Sequence, residues 1–152
     1  PRLLNLSTRV RNLISKGAST SRVLRLVRTT LIREGLEVEY EKMLEDYRLH
    51  DDFAAALNST KDKVTTDLKP KFASGKKKWT ILSNNHRAEL FNGQVVIGAN
   101  KPVGVKSEER YAFTVHALQG DTLEKGSVLY FDTVHMDSPQ HLYVTITRAR
   151  TL

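Results

Sequence analysis

The sequence predicts an α/β protein in which an all-helical, charge-segregated first half precedes a set of short parallel strands. Three observations carry this expectation. Apolar residues recur at helical spacing in successive segments before residue 50. Four β-rich runs bounded by turn residues begin at Trp79: residues 79–83 (WTILS), 94–97 (QVVI), 111–115 (YAFTV) and 128–131 (VLYF). Those runs are almost continuously apolar, the pattern of strands covered on both faces by helices.

Taken in order, Leu3, Leu6, Val10, Leu13 and Ile14 line one face of a first helix, and Gly17 offers a left-handed stop. Ser19, Thr20 or Ser21 caps a second helix bearing Val23, Leu24, Val27, Leu31 and Ile32, with Gly35 as its stop. An acidic helix follows, with Leu36, Tyr40, Met43, Leu44 and Tyr47 as its apolar side. Basic and acidic helices in succession suggest a hairpin whose opposite charges face each other. Asp51 or Asp52 then caps a short helical turn over residues 53–57. Residues 58–78 read as a connection, because Asn58, Ser59 and Thr60 open it and Pro70 bars a continuing helix. Asn92-Gly93 is a turn signal before the second β run. Ser138-Pro139 starts a last helix presenting Leu142, Val144 or Ile146 to the sheet, although the β-branched content of residues 142–147 also suits a strand.

The 152 residues allow one domain or two small ones; the expected division is a helical region 1–69, a basic linker 70–78 and an α/β region 79–152. The absence of cysteine excludes disulfides and thiolate metal sites and points to a reducing compartment, cytoplasmic or nuclear. No apolar run approaches the roughly 20 residues of a membrane span. The formal net charge of +7 is unevenly placed. Residues 1–35 carry +7, 36–60 carry −5, 61–80 carry +5, and 81–152 are neutral. Such an excess suits a polyanionic partner, above all nucleic acid, and a solubility surface is the other reading. Arg22, Arg25, Arg28, Lys76, Lys77 and Lys78 are the candidate contacts.

The SGKKK run at residues 74–78 invites a phosphate-loop reading and fails it. No glycine stands five positions before Gly75, and Lys77 replaces the hydroxyl that would hold magnesium. It reads instead as a mobile basic loop. His135 and His141 have no ligand cluster around them, so no metal site is expected. Trp79 and Phe91 are candidates for base stacking, with a core role the alternative for Trp79.

Two segments carry more specific chemistry: residues 114–121 (TVHALQGD), leaving a strand, and residues 143–150 (YVTITRAR), on the last helix. Together they resemble the final two signature motifs of superfamily 1 helicases, especially the RecD-like branch and helicases of large DNA viruses. Residues 84–93 (NNHRAELFNG) are similar to the segment that precedes a small β insertion in those enzymes. The likeness covers about residues 79–152. It implies an incomplete RecA-like lobe of an ATP-dependent motor, truncated before its last strand and inactive without a Walker A-bearing lobe in the parent protein or a partner chain.

By that resemblance Arg148 is the arginine finger. Gln119, Gly120 and Asp121 lie near the nucleotide, with Asp121 where many relatives carry Glu. Thr114 and His116 touch the nucleic-acid backbone. The implied cofactor is ATP with Mg2+, shared with the missing lobe. The implied partner is nucleic acid, DNA ahead of RNA, with no membrane and with a viral replication site as one setting. Two other readings stay open: a non-catalytic basic nucleic-acid-binding or virion-associated module on a helicase-derived fold, and an assembly adaptor.

Overall fold

The computed structural model describes residues 2–115, 126–133, 135 and 138–148. Helix α1 (Arg2–Ser15) and helix α2 (Thr20–Arg33) form where the apolar spacing places them. Gly17 and Gly35 end them with φ of 73° and 70°, a conformation that favours glycine. The Ser19 side chain accepts from the Arg22 amide at 3.3 Å, capping α2. Helix α3 (Tyr40–Asp46) follows, then strand β1 (Asp52–Ala55), helix α4 (Asn58–Leu68) and a 3-10 turn (Lys69–Phe72). The remaining elements are β2 (Lys77–Ile81), β3 (Val95–Gly98), β4 (Ser107–Glu109), β5 (Phe113–Thr114), β6 (Leu129–Phe131) and helix α5 (Pro139–Thr147).

The parallel sheet has the order β5-β1-β6. Ala55 pairs with Thr114 on one side of β1, and Phe53 with Tyr130 on the other. Helices cover both faces, and the alternation along β1 assigns the layers. Ala54 packs into a core with Leu6 and Val10 of α1, Val23 and Val27 of α2, and Leu142 and Ile146 of α5. Phe53 and Ala55 face the other way, onto Met43 of α3 with Tyr47, and Val64 and Leu68 of α4. This α/β/α layering with a parallel sheet is that of a partial RecA-like lobe, as the sequence led us to expect.

Several local expectations are corrected. Residues 53–57 do not make a helical turn: residues 53–55 belong to the central strand, because bonding to two neighbouring strands outweighs the helix propensity of alanine. Residues 58–78 are not a bare connection, since Val64, Thr65 and Leu68 bury one face of α4. Pro70 does stop that helix, in the 3-10 turn. The basic run at 74–78 is only half a loop, because Lys77 and Lys78 open β2. The runs at 79–83 and 94–97 do not join the parallel sheet. Their strands form a separate antiparallel sheet, β3-β2-β4, with Trp79 opposite Val96 and Glu109. Nor does the acidic helix face the basic ones: α3 lies on the opposite face of the parallel sheet, and its Lys42 pairs within the helix with Glu45 and Asp46.

Candidate nucleotide and nucleic-acid interface

In open α/β sheets the carboxyl ends of parallel strands are where ligands bind, because the loops leaving them are free to vary while the strands stay fixed. Here that edge is formed by Ala55, Thr114 and Phe131. Thr114 is half-buried as the last residue of β5, where the chain leaves the sheet. Asn58 and Ser59 are exposed in the first turn of α4, with Thr60 half-buried behind them. In sequence the trio reads as the opening of a connection; the signal for a helix start is polar residues directly after a short apolar run. His116, Gln119, Gly120 and Asp121 lie outside the described residues.

Arg148 stands one residue beyond α5. Leu142, Thr145 and Ile146 of that helix are buried, fixing its axis against α1 and the sheet. The Arg148 amide donates to the Thr145 carbonyl at 3.2 Å. Its guanidinium folds back on the helix end, with Nε donating to the Val144 carbonyl and a terminal nitrogen to the Thr147 hydroxyl, both at 3.2 Å. A cation there also complements the carbonyl end of the helix dipole. These are long bonds in a half-buried setting, worth about 1 kcal/mol each. The planar donor fork of the guanidinium matches a phosphate. Of the residues assigned to the nucleotide, this is the one among the described residues, and its chemistry fits that ligand.

The basic candidates divide. Arg22, Arg25 and Arg28 are exposed on α2 and make no ion pair among the described residues. Lys76 is exposed and Lys77 half-buried. Lys78 is only 3% exposed and points inward. Its ammonium donates to the Tyr47 hydroxyl at 2.8 Å, to the Asp51 carbonyl, and to Asp52 Oδ1 at 3.2 Å, which uses all three protons. Burial holds its pKa below the ordinary lysine value, and the charges of Asp52 and Asp51 offset part of that shift.

Around Lys78 lies a polar node the sequence did not disclose. The Tyr47 hydroxyl sits 2.7 Å from the Asp51 carbonyl and 2.6 Å from the Tyr111 carbonyl, with one proton to offer between them. Burial, then Asp52 and Asp51, pushes its pKa up. The fully buried Asp51 carboxylate accepts from the amides of Arg48 at 2.8 Å and Val128 at 2.9 Å, and from the Arg48 guanidinium. The node therefore ties α3, β1, the lead-in to β6 and the antiparallel sheet into one corner.

Trp79 donates its indole N–H to the Gly98 carbonyl at 3.0 Å, so its ring belongs to the antiparallel sheet. Phe91 is exposed, with its ring 5.5 Å from that of His86. Among the described residues there is no cluster of three or more metal-ligating side chains, and no helix long and apolar enough to cross a membrane.

Comparison with known proteins adds one match. A family profile described as the viral superfamily 1 RNA helicase core domain matches residues 21–152. No curated protein matches the chain. The match begins in α2, so it extends the likeness through most of the helical half, which the motifs had confined to residues 79–152.

Proposed function

The chain belongs to the viral superfamily 1 RNA helicase core family, and we propose that it acts as the C-terminal motor lobe of an ATP-dependent helicase. In this reading Arg148 is the arginine finger that meets the γ-phosphate as charge shifts in the transition state. Gln119, Gly120 and Asp121 contact the nucleotide. Thr114 and His116 donate to the nucleic-acid backbone without reading sequence. ATP with Mg2+ supplies the phosphoryl group, held between this lobe and a Walker A-bearing lobe; the chain alone is inactive. Arg22, Arg25, Arg28, Lys76 and Lys77 add electrostatic grip, whereas Lys78, buried and bonded, serves the fold.

The observation that carries the reading is the placement of Arg148. It follows a helix locked by Leu142, Thr145 and Ile146 onto the same sheet that ends in Thr114. A group at each end of one rigid body is what coupling hydrolysis to strand movement needs. The family description names RNA, while the motif likeness to helicases of large DNA viruses pointed to DNA. RNA is the first substrate to test and DNA the second. The experiment joins the chain to a Walker A-bearing superfamily 1 lobe and measures hydrolysis with oligouridine or oligothymidine. Stimulation that vanishes in Arg148→Ala supports the reading; hydrolysis indifferent to Arg148 refutes it.

The arginines of α2, exposed and without an ion pair among the described residues, favour one second reading, a non-catalytic nucleic-acid-binding module on the same fold. It requires salt-sensitive binding that persists without nucleotide, together with no hydrolysis in the joined protein.

A further inference from the structure

Helix α1 and Lys16, which continues its last turn through its amide bond to the Asn12 carbonyl, carry a row of residues that neither the fold nor the matched family accounts for, since they precede residue 21. Arg2, Asn5, Arg9, Asn12 and Lys16 follow one another at intervals of three, four, three and four, the spacing of a single helix face, and all five are exposed. Leu6 and Val10, on the flank next to this row, are buried in the core. Arg2 at its head pairs with Glu34 at the end of α2, so the row runs along the side of α1 that faces α2. Arg9 and Lys16 are about 10 Å apart at the helical rise. Neither makes an ion pair among the described residues, and nor do Arg22, Arg25 and Arg28 on the neighbouring helix.

A solubility surface intersperses both signs, as residues 81–152 do with seven charges of each. The α1–α2 hairpin does not: no acid occurs before Glu34. The row also lacks an exposed aromatic or aliphatic anchor of the kind that dominates protein–protein interfaces, and the exposed Leu4 lies off it. Cations spaced by amides suit phosphate and sugar oxygens, which need charge and donors and no apolar pocket.

We propose that the Asn5–Arg9–Asn12–Lys16 face of α1 is a docking track for the phosphodiester backbone of a nucleic acid, extending the grip of α2 beyond the helicase core. The inference rests on the nucleic-acid reading above. Arg11 provides an internal control: it is exposed and cationic but lies about 200° round the helix from Arg9.

The test uses the full chain and fluorescein-labelled oligouridine, with oligothymidine in parallel, and records anisotropy across about 50–200 mM salt. The double variant R9Q/K16Q is expected to lower the log–log salt slope by about 1.4, two single-strand phosphate contacts, so that the parent's advantage shrinks about sevenfold over that range. R11Q should leave the slope unchanged, and none of these exposed substitutions should move the melting temperature. Equal losses in R11Q and R9Q would make the effect one of bulk charge and overturn the proposal. A slope unaltered in R9Q/K16Q but reduced in R22Q/R25Q/R28Q would overturn it while leaving the binding reading intact. A parent that binds neither oligonucleotide overturns both. A polyglutamate peptide bound as tightly, and lost equally in R9Q/K16Q, would reassign the track to an acidic protein.

Discussion

Replacing Asp51 with alanine tests how the corner around Lys78 is held. The carboxylate is fully buried and serves two backbone donors, the amides of Val128 at 2.9 Å and Arg48 at 2.8 Å. Removing it strands both, at about 1–3 kcal/mol each. The guanidinium that also bonds it belongs to a side chain 61% exposed, so that group returns to water. The Ala variant should therefore lose about 3 kcal/mol, the lower half of the summed range, because water can follow the guanidinium into the vacated space. With a urea slope of about 2 kcal/mol/M, the unfolding midpoint falls by about 1.5 M. The melting temperature falls by about 6–12 °C for a chain of this size. Asp51→Asn keeps one acceptor oxygen and should lie between parent and Ala. Arg48→Ala should cost clearly less than Asp51→Ala, since it leaves the Val128 bond in place. An Asp51→Ala protein that melts with the parent, or an Arg48→Ala protein that loses as much, would refute the argument that the buried backbone donors carry the corner.

Three further outcomes follow from the same structure. Lys78 has a lowered pKa through burial, so the unfolded chain binds its proton more readily than the folded one. The parent must then gain stability as pH rises from that lowered pKa towards the ordinary lysine value, and Lys78→Met should flatten this rise; parallel urea midpoints from neutral to alkaline pH would contradict it. The Tyr40 phenol is pushed up to about 12 by burial and by its 2.6 Å bond to Asp67. A raised folded pKa means a contribution that is whole below the ordinary value of 10.0 and lost as pH climbs to about 12. Tyr40→Phe should delete one late phenolate from the ultraviolet titration, and a deleted group titrating near the ordinary value would count against the bond. Leu142→Ala opens space in the core that seats α5 and should cost about 2–5 kcal/mol by urea unfolding, with a loss below 1 kcal/mol placing that helix outside the core.

What the sequence disclosed were features decided locally. The glycine stops, the Ser19 cap and the Ser138-Pro139 start act within one turn of chain, and the structure uses each of them. What it concealed depended on distant partners. Residues 53–55 are helix formers by composition, and only pairing with Phe113 and Thr114 on one side and Tyr130 and Phe131 on the other makes them the central strand. Helix α4 hides its face because Val64 and Leu68 are its sole buried large apolar residues among lysines, threonines and aspartates. Lys78 sat in a run of lysines, where burial is the least expected fate, and its acceptors come from residues 47–52. The helicase likeness was legible in two contiguous segments, residues 114–121 and 143–150. The family likeness further upstream, starting in α2, has no such short motif.

The role we propose for Arg148 is to complete an active site shared with a Walker A-bearing lobe. Its most direct measurement is oligonucleotide-stimulated ATP hydrolysis by the joined two-lobe protein, comparing the parent with Arg148→Ala and Arg148→Lys. The chain alone should show no hydrolysis, and Arg148→Ala should lose about 10³–10⁵ in turnover. Lysine, lacking the planar fork, should restore little of it. Turnover in Arg148→Ala within about tenfold of the parent, or hydrolysis by the isolated 152-residue chain, would contradict it.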